Sequence, residues 1–315
     1  MAVGDILLYD MEMSPFCQLV RLQMAEKGLT YKTKVVSAAT NENLEPYYVQ
    51  VNPEMTVPTL SIQAKEGEAN TLIRDSRDII EHLEYKYEGG KDLVDASKKK
   101  ETWKFVDEWY SLNLTALYIN AFRENSPAMF DMMRNGMLAK KVDLLTINAQ
   151  KYPELKSLYE KKREKTLVAR DTIYDSTDAY VEANKHMEEL IAAAEEQLKS
   201  SEGPWLFGDY SIADAALTCF LCAFNMFDLV DFEGKPNLAK FFAEAKKRPS
   251  YKGAKILDEV PMKMKVMLVP LLLIHKIKST VGPFFSKKMK EADEAYEEVK
   301  KTANEKLDQA IGAKK

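Results

Sequence analysis

A change of rhythm near residue 90 constrains this chain more than any other feature. Before it, short apolar runs alternate with helical stripes. Asp5–Tyr9 reads as a buried strand, and Pro15 sits where a helix can start. Phe16, Leu19, Val20, Leu22 and Met24 then form a stripe that ends near Gly28. Tyr31–Val36 reads as a second strand and Asn43–Val49 as a short helical patch. Thr59–Ile62 and Thr71–Ile73 are strands flanking the polar turn AKEGEAN, and Ser76–Tyr87 is a helix. After Gly89-Gly90 and KDLVDASKKK, strand signals stop. Helical patterns follow at 99–122, 129–150, 154–170, 177–198, 211–229, 236–247 and 251–257, with a break at Tyr152-Pro153. A βαβαββα unit and then a run of helices predicts an α/β domain over residues 1–88 and an all-α domain over 97–258. A third segment, 259–315, differs from both.

The length of 315 residues suffices for two cores. The net charge of −4 provides no bulk attraction for nucleic acid. Three cysteines are too few for a disulfide-stapled secreted domain, so a reducing, cytoplasmic setting is expected. The opening MAVGDILLYD lacks the basic-then-apolar pattern of a signal peptide. Between residues 261 and 290 lie seven lysines and no acid, around the Pro270-interrupted apolar run Val266–Ile274. That run is too short for a bilayer, which needs about 20 residues. Peripheral contact of 261–290 with an anionic membrane surface is one reading; packing of the apolar run against the protein is the other.

Three places can carry chemistry. Ser14-Pro15-Phe16-Cys17 lies between the first strand and the first helix, where free N–H groups and the helix dipole favour an anion. A serine hydroxyl there can donate to a thiolate, although a plain N-cap uses the same residues. Val57-Pro58 precedes a strand and suits a cis bond, which bares the backbone of Val57 to a peptide laid alongside; an ordinary trans proline fits the sequence too. Asp75-Ser76 opens a helix and can hold a carboxylate or an amine, or merely cap it.

Taken in order, these segments resemble the glutathione transferase superfamily. SPFCQLVRLQMAEKGLTY is similar to its first helix, NLEPYYVQVNPEMTVPTL to its NP–x–VP–L segment, and IRDSRDIIEHLE to its acidic-Ser motif. WLFGDYSIADAAL resembles its C-terminal-domain signature, with Ser211 and Asp214 as a capping box. The resemblance spans about residues 5–257. It implies a thioredoxin-like N-terminal domain, an all-α C-terminal domain, a helical C-terminal extension, and glutathione as cosubstrate. It implies Ser14 as the residue that stabilises the glutathione thiolate, Val57 and Pro58 beside its cysteinyl part, and Asp75 and Ser76 at its γ-glutamyl end. Phe16, Trp103, Trp109 and Tyr110 are candidates to line the site of an apolar electrophile, and a homodimer is the usual state of relatives. Two branches share the most features: the tetrachlorohydroquinone dehalogenase type and the ganglioside-induced differentiation-associated type. The first carries a reactive cysteine where this chain has Phe16, so dehalogenation is not the expected reaction. The second implies an alternative, a catalytically weak binding or membrane-associated protein.

Other conspicuous residues read as structure. Cys219 and Cys222 lie in the apolar run ALTCFLCAF, as core thiols rather than metal ligands. His82, His186 and His275 share no ligand spacing, and no metal is expected. Met129, Met132, Met133 and Met137 read as packing or as the wall of an adaptable apolar pocket.

Overall fold

The computed structural model describes residues 6–63, 70–87 and 90–261. The lysine-rich stretch 261–290 and the rest of the tail lie, beyond Pro261, outside the described residues, and the strap and membrane readings with them.

β1 (Ile6–Asp10) is the axis of a four-stranded sheet. β2 (Lys32–Val35) pairs with it in parallel, β3 (Thr59–Ile62) antiparallel, and β4 (Thr71–Ile73) pairs antiparallel with β3. The spatial order is β2-β1-β3-β4. The parallel β1–β2 pair needs a crossover, and α1 (Pro15–Glu26) supplies it. α2 (Pro46–Val51) precedes β3 and α3 (Ser76–Tyr85) follows β4. This is the mixed sheet with helices that the alternating rhythm predicts.

α1 is buried along most of its length, polar residues included, and each of those is tied down. Arg21 reaches Asp10 at 2.5 Å and donates to the Ala254 carbonyl. Lys27 pairs with Glu84 at 3.2 Å and donates to the Lys91 carbonyl. Gly90 passes so close that a Cβ there would meet the Lys27 carbonyl oxygen at 2.3 Å, and its φ of +82° suits glycine alone.

The helical part departs from the sequence expectation at 99–122, and also at 251–257, where the last helix spans Pro249–Gly253 instead. The pattern at 99–122 predicts a single helix, but there are two, α4 (Lys99–Tyr110) and α5 (Leu114–Asn125). The Ser111 hydroxyl donates to the Glu108 carbonyl and so takes up an acceptor at the end of α4. The Asn113 side chain then caps the Ala116 N–H at 3.1 Å. Apolar periodicity continues across the break and hides it. α6 (Pro127–Asp131) runs through a wider-wound stretch, Met132–Leu138, into α7 (Ala139–Lys151). α8 (Lys156–Ala169) packs back on α7 as a hairpin turned at Pro153. α9 (Asp178–Ser200), α10 (Ile212–Met226), α11 (Pro236–Lys247) and α12 (Pro249–Gly253) follow.

One hydrophobic core runs from Ile6, Leu8 and Leu22 through Trp109 to Phe220 and Phe241, so sheet and helices share it. A smaller core joins Leu44, Val49 and Met55 to Leu145, Leu155 and Tyr159 of the hairpin. Among the described residues no helix is long and apolar enough to cross a membrane.

Buried α10 starts at the capping box expected from Ser211 and Asp214. The Asp214 carboxylate accepts the Leu206 N–H at 2.8 Å, the Ser211 N–H at 2.8 Å and the Ser211 hydroxyl at 2.7 Å. Asp214→Ala orphans two buried N–H groups and is expected to destabilise the fold by roughly 2–5 kcal/mol. Urea unfolding should show a lower midpoint with an unchanged slope; an unchanged midpoint would remove Asp214 from this role.

Candidate functional site

Strand register decides where the three candidate loops meet. Tyr9 lies opposite Thr59, and Leu60 lies opposite Ile73. The C-terminal end of β1, the N-terminal end of β3 and the C-terminal end of β4 therefore share one end of the sheet. Ser14 leaves from the first, Val57-Pro58 enters the second, and Asp75-Ser76 leaves from the third. Residues spread over about sixty positions of sequence are thus brought to one edge.

Ser14 is the N-cap of α1 and only 6% exposed. Its Oγ accepts the Cys17 N–H at 3.4 Å, and its own N–H donates to the Met11 carbonyl. The Ser14 hydroxyl also lies within hydrogen-bonding reach of the Cys17 thiol and opposes the upward shift of that thiol. Cys17, one turn in, is fully buried, and burial with Asp10 behind it pushes the thiol up to about 12. A thiol so held is neither exposed nor ionised near neutral pH, the opposite of a reactive cysteine.

The Val57-Pro58 bond is cis. The loop in front of it is built on Asn52, a residue the sequence reading passes over. Asn52 is fully buried, and its Nδ2 reaches the Thr56 carbonyl at 2.9 Å and the Thr59 hydroxyl at 3.0 Å. Its Oδ1 accepts the Glu54 N–H at 3.0 Å. Tyr48 joins from α2, donating to the Thr56 carbonyl at 2.5 Å. Asn52 stands in the quoted segment QVNPEMTVP, but only the folded loop shows that its side chain holds the turn.

Asp75 caps α3, accepting the Arg77 N–H at 2.8 Å, and is exposed; Ser76 is buried. Arg77 is spent elsewhere, on Asp107 and Glu81 and over the Trp103 ring.

The four aromatic candidates separate. Phe16 and Tyr110 meet, ring centroids 5.3 Å apart, over Phe220. The Tyr110 hydroxyl is buried without a well-formed hydrogen bond; burial pushes its pKa up, and the Ser76 hydroxyl beside it opposes. Phe16 and Tyr110 thus link the Ser14 turn to the start of α3. Trp109 is buried among Phe105, Phe220 and Phe224 in the core. Trp103 lies a helix turn or two away, donating to the Tyr85 hydroxyl at 2.6 Å.

Comparison with known proteins bears on this arrangement. Residues 8–91 match the model for the glutathione S-transferase N-terminal domain, and residues 157–249 match that for the C-terminal domain. "Glutathione S-transferase TCHQD" of Arabidopsis thaliana is 27% identical over 78% of this chain and 87% of its own. "Tetrachloro-P-hydroquinone reductive dehalogenase" of Sphingobium chlorophenolicum is 26% identical over 80% and 96%. A human protein of the ganglioside-induced differentiation-associated type also matches, so both branches named from the sequence are found among its relatives. A glutathione transferase structure from Burkholderia graminis, solved with two glutathione molecules per subunit, superposes with a TM-score of 0.55 over 80% of this chain and 88% of its own, at 18% identity. That likeness shows a shared fold.

Asn52→Ala removes the donors and the acceptor that shape residues 52–59. A stability loss of about 2–4 kcal/mol is expected from the unpaired groups left behind. The measurement is chemical denaturation, and wild-type stability would show that the loop holds itself.

Proposed function

The chain belongs to the glutathione S-transferase superfamily, and on that premise we propose that it activates the thiol of glutathione for attack on an apolar electrophile. The observation that carries the reading is the convergence of Ser14, Val57-Pro58 and Asp75-Ser76 at one end of the sheet, with Ser14 capping the N-terminus of α1.

In this reading the cysteinyl part of glutathione lies along the Val57 backbone as an added extended segment. Its γ-glutamyl end meets Asp75, Ser76 and the positive end of α3, where amine and carboxylate find opposite partners. The sulfur then faces Ser14. A hydroxyl hydrogen bond together with the α1 dipole favours thiolate over thiol, and a shift of two pKa units corresponds to about 2.7 kcal/mol. The thiolate forms a carbon–sulfur bond to the electrophile, and the leaving group departs with the displaced electron pair. Phe16 and Tyr110 supply apolar surface where that partner sits, and much of the rate comes from holding the two reactants together. A homodimer is the assembly we assign, on the family's habit.

Membership in a family that includes a reductive dehalogenase does not extend to that chemistry here. By the resemblance the dehalogenase branch has a reactive cysteine where this chain has Phe16, and Cys17 is buried with its thiol pushed up to about 12.

Ser14→Ala is expected to lower turnover of 1-chloro-2,4-dinitrobenzene by about tenfold or more, since tenfold corresponds to only about 1.4 kcal/mol. Binding of S-hexylglutathione, which has no ionisable thiol, should stay within about twofold. Equal turnover by wild type and variant would take Ser14 out of the mechanism. Cys17→Ala should retain turnover; its abolition would return cysteine chemistry.

A further inference from the structure

The α7–α8 hairpin stands apart in the packing. Its two helices make their extensive contacts with one another and with their own flanks, and among the described residues they touch the rest of the chain only lightly. None of their apolar side chains belongs to the main hydrophobic core. Leu145, Ala149, Leu155 and Tyr159 sit instead with Leu44, Val49 and Met55 in the smaller one. A segment with its own small core can part from the body at a cost well below that of global unfolding.

Both roots of this hairpin are wound more widely than an α-helix. Met132–Leu138 precedes α7, and Arg170–Tyr174 follows α8 and closes with the Asp175 N–H on the Arg170 carbonyl at 2.9 Å. The two stretches pack on one another and are joined by Arg134 and Asp175 at 2.6 Å. Such windings are rare and mark places where a helix changes course. The roots themselves are fixed to the body. The Arg123 guanidinium of α5 donates to the Ile173, Tyr174 and Ser176 carbonyls, and Ile173 packs on the main core.

Beyond the roots, polar contacts hold the hairpin at Leu44 and Glu54. The Tyr159 hydroxyl and the Asn148 amide both donate to the Leu44 carbonyl. Residues 37–58 carry Glu42, Glu45 and Glu54 and no lysine or arginine, so the cations of this contact come from the hairpin. The Glu54 carboxylate accepts from Lys165 at 2.7 Å and Lys161 at 2.9 Å, which hold its carboxyl down to about 2. Its carbonyl accepts from Lys162 at 2.7 Å. Exposed ion pairs of this kind are weak one by one and are screened by salt. Lys141 works against them. It is half-buried, no hydrogen bond or ion pair holds it among the described residues, burial lowers its pKa, and it repels Lys162. An ammonium taken from water without a partner disfavours the docked arrangement.

We propose that the α7–α8 hairpin is an arm that swings on its two wide-wound roots, with Glu54 as the latch that docks it and Lys141 as the charge that resists docking. Docked, the arm backs the loop that Asn52 shapes. Lifted, it bares Leu44, Val49 and Met55 and leaves residues 52–58 to their internal hydrogen bonds. The balance between the two arrangements is set by ionic strength and by the charges at positions 54 and 141. The cis-proline loop is thereby under a control that lies outside Ser14, Val57 and Asp75.

The test places nitroxide labels on the full chain and reads their separation by pulsed dipolar electron spin resonance. Ser157→Cys, on the exposed side of α8, is paired with Lys240→Cys on α11, and Lys86→Cys with Lys240→Cys is the reference pair within the body. Cys17, Cys219 and Cys222 are buried and escape the label. In the arm pair, Glu54→Gln is expected to raise the population at a second, displaced distance about fivefold, which is the scale of losing exposed ion pairs. High salt should do the same to the unsubstituted latch. Lys141→Met, which removes the buried charge and keeps the length of the side chain, should lower that population. The reference pair should keep one narrow distance throughout. An arm pair with a single distance that neither Glu54→Gln nor high salt alters overturns the proposal. So does equal broadening of both pairs, or a displaced population that Lys141→Met increases.

Discussion

The antiparallel pairing of β1 with β3 is the constraint on which the rest of this molecule depends. It turns a local loop, the segment before β3, towards the end of the sheet from which β1 and β4 depart. Because side chains alternate along a strand, a slip of one residue would put the paired Leu8 and Leu60 on opposite faces and dismantle the core beneath the site. Register is thus held by apolar burial, and the position of Ser14 relative to Val57 and Asp75 follows from it.

The second requirement is that α1 stay fixed while its N-terminus remains available. Its polar residues meet this by reaching into distant parts of the chain. Arg21 and Gln18 hold residues 254–257, Glu26 holds Arg248, and Lys27 binds Glu84 and the backbone at Lys91. Removing one member of such a buried pair leaves a charge without a partner, which is more damaging than losing the pair as a whole. These contacts order the connection between sheet and helices, and Gly90 is needed because only a residue without Cβ fits against Lys27. α1 is therefore a joint shared by both parts, in keeping with a single core that runs through them.

The α7–α8 hairpin adds a third layer to this arrangement. It buries Leu145, Leu155 and Tyr159 against Leu44, Val49 and Met55 and so supports the loop that Asn52 shapes from within. A turn backed on one side by apolar packing and held internally by hydrogen bonds can present its backbone without moving. The same hairpin places ammonium groups over a stretch of sequence that has only acids.

The sequence by itself determined the kinds of element and their order, because alternation and helical stripes are local records of which faces are buried. It also determined the residue types at the three loops, including Pro58 before its strand and the Ser211–Asp214 box, since turn and cap chemistry is read over three or four residues. Tertiary structure decided what depends on distance. Asn52 looks like any loop asparagine until Thr56, Thr59 and Glu54 close around it. Trp109 and Tyr110 are neighbours in sequence, yet helix geometry sends one into the core and the other against Phe16. The stretch 99–122 keeps an apolar stripe across its break, so periodicity is blind to the caps at Ser111 and Asn113. Lys162 lies over a hundred residues from Glu54, and nothing in a linear pattern brings an ammonium to that carbonyl; only the packing of Tyr159 and Leu155 on Leu44 does.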